Sequence, residues 1–292
     1  MTNIPVLSGI SNLADNYDAF IVDLWGVVFE GNRPYDGVID ALIALSQANK
    51  KVVFLTNSSR RSEIVASTLE AVGLTRNLYY GLLSSGEVIH YEMKARQDSF
   101  FKNLGYNYFH IGAKRITGIV DGLNYKETPT IAEADFILLT GLPFSGADET
   151  SLRPVLERSV DLRLPMICCN PDVKGIASGV AVPGSGSIAN YYERLGGVVF
   201  RRGKPDPRVF KYCLEGLPEY IYKERTVVIG DSFETDLIGA DKAGLDSVLI
   251  ASGVHRREIK MTLGALPDSE NITDLARHYG VFPRAAVPYF VW

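Results

Sequence analysis

Ala19-Phe20-Ile21-Val22-Asp23-Leu24-Trp25-Gly26-Val27 is a short apolar run that stops on a carboxylate and turns at a glycine. The same pattern recurs along the chain. Val52 to Leu55 ends at Thr56-Asn57, Phe136 to Leu139 at Thr140-Gly141, Met166 to Cys169 at Asn170, and Val227 to Ile229 at Gly230-Asp231; Ser247 to Ile250 is a further run. Continuous apolar and β-branched runs of this length read as strands buried on both faces, as parallel sheets require. Amphipathic segments lie between them. Val38, Leu42, Leu45 and Ala48 share one helical face, Ser62 starts a helix that closes at Gly73, Asp206-Pro207 opens another, and Thr235 to Ala243 stops at Gly244. Alternating strands and helices predict an α/β fold, a doubly wound parallel sheet of Rossmann-like type. Ligands of such sheets bind beyond the carboxyl ends of the strands, which is where Asp23, Thr56, Asn57 and Asp231 fall.

Composition narrows the function classes. The chain has 292 residues, 46% apolar and 22% charged, with a net charge of −4. That is a globular composition long enough for about two domains, with no basic surface for nucleic acid. No run reaches the ~18 apolar residues of a membrane span, and Met1 to Ser11 lacks a signal-peptide pattern. The expectation is a cytoplasmic protein. Cys168, Cys169 and Cys213 form no CxxC pair and read as buried thiols of a reducing compartment. His90, His110, His255 and His278 lack metal-ligand spacing, so zinc is not expected.

Four local patterns carry chemistry together: Asp23-Leu24-Trp25-Gly26-Val27, Leu55-Thr56-Asn57-Ser58, Gly203-Lys204-Pro205-Asp206-Pro207, and Gly230-Asp231-Ser232 with Thr235-Asp236. Each alone has a plain reading, as a turn cap, a turn pair or a solvated lysine. Together they supply what phosphoryl transfer needs. Asp23 is a carboxylate nucleophile able to form an aspartyl phosphate. Thr56 and Asn57 are neutral donors to phosphate oxygens, and Lys204 is a fixed positive charge. Asp231 and Asp236 are hard oxygen ligands suited to Mg²⁺.

In order and spacing these motifs resemble those of the haloacid dehalogenase-like hydrolases, and the resemblance spans nearly the whole chain. The long insertion between the second and third motifs is similar to the C2-capped branch, which includes nucleotide, pyridoxal phosphate and 4-nitrophenyl phosphate phosphatases. Cys169-Asn170-Pro171-Asp172 and Val182-Pro183-Gly184-Ser185-Gly186-Ser187 resemble the segments where that branch's cap returns to the core. The resemblance implies a core of residues 1–84 and 182–292 with an inserted α/β cap at 85–181. It implies Asp23 as nucleophile, Thr56 and Lys204 on the phosphate, and Mg²⁺ held by Asp23, the backbone carbonyl of Trp25, Asp231 and Asp236. The substrate is then a small phosphorylated metabolite.

One position departs from the family pattern. Two residues after the nucleophile the family has a second Asp, which protonates the leaving group and then activates water; here it is Trp25. An indole N–H does not exchange a proton near neutral pH. Three accounts follow: substrates with good leaving groups, proton transfer by another side chain such as Glu30 or Asp172, or a descendant that binds a phosphometabolite without turnover. A receiver domain also uses acidic residues, Thr and Lys at strand ends, but the long insertion opposes it. Gly184-Ser185-Gly186-Ser187 lacks the ending of a P-loop and reads as a glycine-rich helix entry. The apolar tail Pro288-Tyr289-Phe290-Val291-Trp292 reads as a segment docked on the protein's own surface, a homodimer interface being the alternative.

Overall fold

The computed structural model describes residues 3–30, 32–113, 118–144, 146–177 and 180–292. In chain order, the first three strands are β1 (Ala19–Val22), β2 (Lys51–Thr56) and β3 (Gly81–Ser84), joined by helices α1 (Val38–Gln47) and α2 (Ser62–Glu70). Helices α3 (Ser85–Ala95) and α4 (Ser99–Asn103) precede strands β4 (Asn107–Ile111), β5 (Lys126–Glu127) and β6 (Phe136–Leu139). Next come α5 (Glu149–Asp161), β7 (Met166–Cys168), β8 (Lys174–Ala177), β9 (Val180–Pro183), α6 (Ser185–Arg194) and β10 (Val199–Arg201). The chain closes with α7 (Pro207–Glu215), β11 (Thr226–Gly230), α8 (Ile238–Ala243), β12 (Asp246–Ile250), α9 (Ser269–Tyr279) and β13 (Ala285–Val287).

The chain divides into two compact units: residues 1–56, 66–83 and 204–292, and residues 57–65 and 84–203. The first unit holds a sheet in the order β13-β12-β11-β1-β2-β3. Neighbours from β13 to β2 pair in parallel. β1 and β11 are buried along their whole length, which is why their sequences read as unbroken apolar runs. The strand order reverses between β1 and β11, since the chain builds outward from β1 through β2 and returns on the other side at β11. That reversal opens a crevice at their carboxyl ends, and Asp23 and Asp231 are the residues directly after them.

The apolar tail packs within this unit, as its composition suggests. Phe290 is buried, and the Ile10 N–H donates to the Val291 carbonyl at 2.7 Å. Gly9 permits the approach: a Cβ there would lie 2.5 Å from the Trp292 carbonyl oxygen.

The second unit holds a five-stranded parallel sheet, β10-β7-β6-β4-β5, and the antiparallel hairpin β8-β9. Ile137, Leu139, Met166, Ile188 and Tyr192 form the core on one face of the sheet, and Ile89, Phe101, Phe136, Leu138 and Ile167 the core on the other. This unit extends to Gly203, past the Ala181 boundary expected from sequence. The reason is pairing: β10 joins β7, and Ile188, Ala189 and Tyr192 of α6 share a core with β6 and β7. No described helix is long and apolar enough to cross a membrane. All three cysteines are buried free thiols.

Candidate active site

Asp23 continues the ladder of β1, its N–H donating to the Ile229 carbonyl of β11 at 2.9 Å. Its side chain is buried. The neighbouring strand β2 ends on Thr56, also buried, at the same carboxyl edge.

Lys204 reaches these residues from the segment before α7. Asp206 caps that helix through the Arg208 N–H, and Pro207 takes its first position. Lys204 is buried, and its Nζ donates to Asp23 Oδ1 at 2.6 Å and to Asp236 Oδ1 at 2.7 Å. One ammonium group therefore bridges two carboxylates contributed by distant parts of the chain.

Asp231 follows β11 and is 5% exposed. Its Oδ2 accepts the Val254 N–H at 2.8 Å. Two glycines flank it. A Cβ on Gly26 would stand 2.1 Å from Asp231 Oδ2, and one on Gly253 would stand 2.2 Å from Asp231 Cβ. The backbone at Gly26 thus passes close beside the Asp231 carboxylate. Asp236 sits in a single π turn, Phe233–Leu237, and its Oδ2 accepts the Ser232 N–H at 3.2 Å.

Ligand oxygens of Asp23, Asp231 and Asp236 lie within 4.8 Å of one another, and all three residues are buried. Burial first, and then the charges of Asp23 and Asp236, push the Asp231 carboxyl well above the usual carboxylate range. Three carboxylates against one lysine leave an excess of negative charge away from water. That donor set fits a hard divalent cation with a preference for oxygen, and Mg²⁺ is such an ion.

The other residues singled out by sequence have separate partners. The Asn57 amide donates to Asp172 Oδ1 at 2.7 Å, and its carbonyl oxygen accepts from Ser85 Oγ at 3.3 Å, all within the second unit. The same bond engages Asp172, one of the two candidate proton carriers. The other, Glu30, forms an exposed ion pair with Arg33 at 2.8 Å. The Trp25 side chain is 47% exposed and lies edge-to-face on Phe29, with ring centroids 5.0 Å apart. Sequence reasoning did not reach Gly253 or the Val254 N–H, and it considered His255 only as a metal ligand. Their one local signal is the Gly253 turn soon after a buried strand.

Comparison with known proteins bears on the family and the fold. A family model of the haloacid dehalogenase-like hydrolases matches residues 20–126, and a second hydrolase model of the same family matches residues 201–276. The acid sugar phosphatase of Staphylococcus saprophyticus is 24% identical over 89% of this chain and 96% of its own. The crystal structure of a haloacid dehalogenase-like hydrolase from Brucella suis superposes with a TM-score of 0.82 at 28% identity, covering 98% of this chain and 100% of that one. A glycerol phosphate phosphatase from Mycobacterium tuberculosis, solved with magnesium, has a TM-score of 0.62 at 22% identity over 83% of this chain and 70% of its own. The chain belongs to the haloacid dehalogenase-like hydrolases. Within them it falls in the C2-capped branch, to which these phosphatases are related.

Proposed function

We propose that this protein is a Mg²⁺-dependent phosphatase that hydrolyses a small phosphorylated metabolite through an aspartyl phosphate on Asp23. The observation that carries the reading is the Lys204 bridge between Asp23 and Asp236, with Asp231 completing the carboxylate cluster. A buried ion pair is weak evidence of stabilisation, so a lysine bonded to two buried carboxylates beside a third favours a functional reading.

The chemistry assigns each residue a task. A carboxylate oxygen of Asp23 bonds to phosphorus while the bond to the leaving oxygen breaks, giving the aspartyl phosphate. Thr56 donates its hydroxyl to the phosphate, and Lys204 holds the nucleophile while offsetting the charge on phosphate oxygens. Asn57, tied to Asp172, anchors the chain just after Thr56. Asp23, Asp231, Asp236 and the Trp25 carbonyl are the groups to hold Mg²⁺, which when bound neutralises charge on the transferring phosphoryl group. Water then attacks phosphorus, the bond to Asp23 breaks, and inorganic phosphate departs.

Trp25 shapes the substrate choice. With an indole where the proton carrier would stand, the leaving oxygen departs without a strong acid beside it. Acyl and aryl phosphates, whose leaving groups are stable as anions, suit such a site. Residues 84–203 with 57–65 are the counterpart of the inserted C2-type cap that the resemblance implies. The tail packs on the chain's own core through Phe290, and the buried thiols suit a cytoplasmic setting.

Trp25 also favours a second reading, a binder of a phosphorylated metabolite with impaired turnover. A panel of phosphometabolites assayed with Mg²⁺ for phosphate release and, in parallel, by calorimetry separates the two. Turnover of acyl or aryl phosphates supports the phosphatase; tight Mg²⁺-dependent binding without turnover contradicts it.

A further inference from the structure

His255 is a buried titratable residue with no place in the chemistry above. It lies in the turn after β12, and every one of its polar neighbours is within the first unit. Nε2 is 3.0 Å from the Phe233 backbone nitrogen and 3.1 Å from Glu234 Oε2, while Nδ1 is 3.1 Å from Glu258 Oε2. Phe233 stacks on Tyr279 with centroids 5.1 Å apart, and the Tyr279 hydroxyl donates to Glu234 Oε1 at 2.7 Å.

The two segments that His255 joins are the two that hold the carboxylates. The residue before it, Val254, donates its N–H to Asp231. The residues it grips, Phe233 and Glu234, open the π turn that carries Asp236. With Nε2 unprotonated, the ring accepts the Phe233 N–H; with Nε2 protonated, it donates to Glu234. Both states tie residue 255 to residues 233–234, so the link does not depend on which state is populated.

We infer that His255 is a positioning residue for the metal-binding carboxylates, acting on Asp231 through the Val254 backbone and on Asp236 through the 233–237 turn. The inference rests on the Mg²⁺ reading of the carboxylate cluster. Groups that orient metal ligands typically contribute about 10–100-fold to metal affinity. A core histidine kept only to fill volume would contribute nothing of the kind.

The test uses amides of two lengths on the full chain. In His255→Gln the side-chain amide reaches the Nε2 position, where it can accept from Phe233 or donate to Glu234. In His255→Asn the amide stops near the Nδ1 position and loses that reach. Calorimetry with Mg²⁺ alone is expected to give His255→Gln an affinity close to wild type and His255→Asn a loss of about 10-fold or more. His255→Leu, which fills volume without polar reach, is expected to follow His255→Asn. Activity should show the same split, with the loss in His255→Asn recovering as Mg²⁺ is raised. Equal Mg²⁺ affinity in wild type, Gln and Asn variants overturns this inference alone. A wild-type protein that binds no Mg²⁺ overturns the phosphatase reading and this inference together.

Discussion

Gly26 packs directly against Asp231: a Cβ on Gly26 would stand 2.1 Å from Asp231 Oδ2, and its φ of +84° lies where side chains are strained. The turn after the nucleophile and the loop after β11 therefore fit together only with glycine at residue 26. Gly26→Ala is expected to destabilise the protein by about 1–3 kcal/mol and to weaken Mg²⁺ binding by displacing Asp231. Chemical denaturation and calorimetry check the two effects separately. An alanine variant with unchanged stability and affinity would contradict the packing described.

Lys204 bonds to both Asp23 and Asp236 through one ammonium group. Lys204→Met keeps most of the volume and leaves buried carboxylates without their ammonium. Breaking a buried pair on one side costs about 3–5 kcal/mol. Phosphate release should fall by about 10²–10³-fold, the scale of losing one preorganised electrostatic contact. Stability measured with and without Mg²⁺ should show the ion recovering part of the loss.

How much of this was legible in the sequence varies by residue. β1, β2, β11 and β12 were readable because both faces are buried, so their composition carries the signal without knowledge of partners. Asp23, Thr56, Lys204, Asp231 and Asp236 followed from residue type at strand ends and from the order of motifs. The extent of the second unit was not readable. α6 and β10 look like any helix and strand of the surrounding sheet, and their allegiance lies in contacts with β7 and in the close fit of Gly184 and Gly186 on the carbonyls of Asp172 and Pro171. Asn57 read as a neutral donor at a strand end; its tie to Asp172 spans 115 residues and leaves no local trace. His255 was set aside for want of ligand spacing, and its bonds to Phe233 and Glu234 are of the same long-range kind.

Trp25→Asp places a proton carrier where an indole now lies on Phe29. Hydrolysis of alkyl phosphates, which need leaving-group protonation, is expected to rise by about 10²–10⁴-fold. Aryl and acyl phosphates should gain far less. A uniform gain across all three classes, or none with alkyl phosphates, would contradict the reading of Trp25.

Glu87 in the second unit accepts two bonds from Arg61, at 3.0 and 2.6 Å, and one from the Ser62 N–H at 3.0 Å. Burial opposes its charge, but the Arg61 and Ser62 bonds win and hold its carboxyl below the usual range for a glutamate. A depressed folded pKa stabilises the protein above the unfolded value and loses that contribution as pH falls below it. Glu87→Gln should therefore cost about 1.5–3 kcal/mol at pH 7. The gap to wild type should narrow once pH drops beneath about 4.5, the ordinary value for the group. Denaturation curves at several pH values test the sign; a gap that widens in acid would contradict it.

Asp23 as the phosphoryl acceptor is the step on which the proposed activity depends. Phosphate release from 4-nitrophenyl phosphate in saturating Mg²⁺, measured for wild type and Asp23→Asn under identical conditions, tests it most directly. The predicted result is release by wild type and background release by Asp23→Asn, with the variant still folded. Equal release by the two proteins would contradict the central claim.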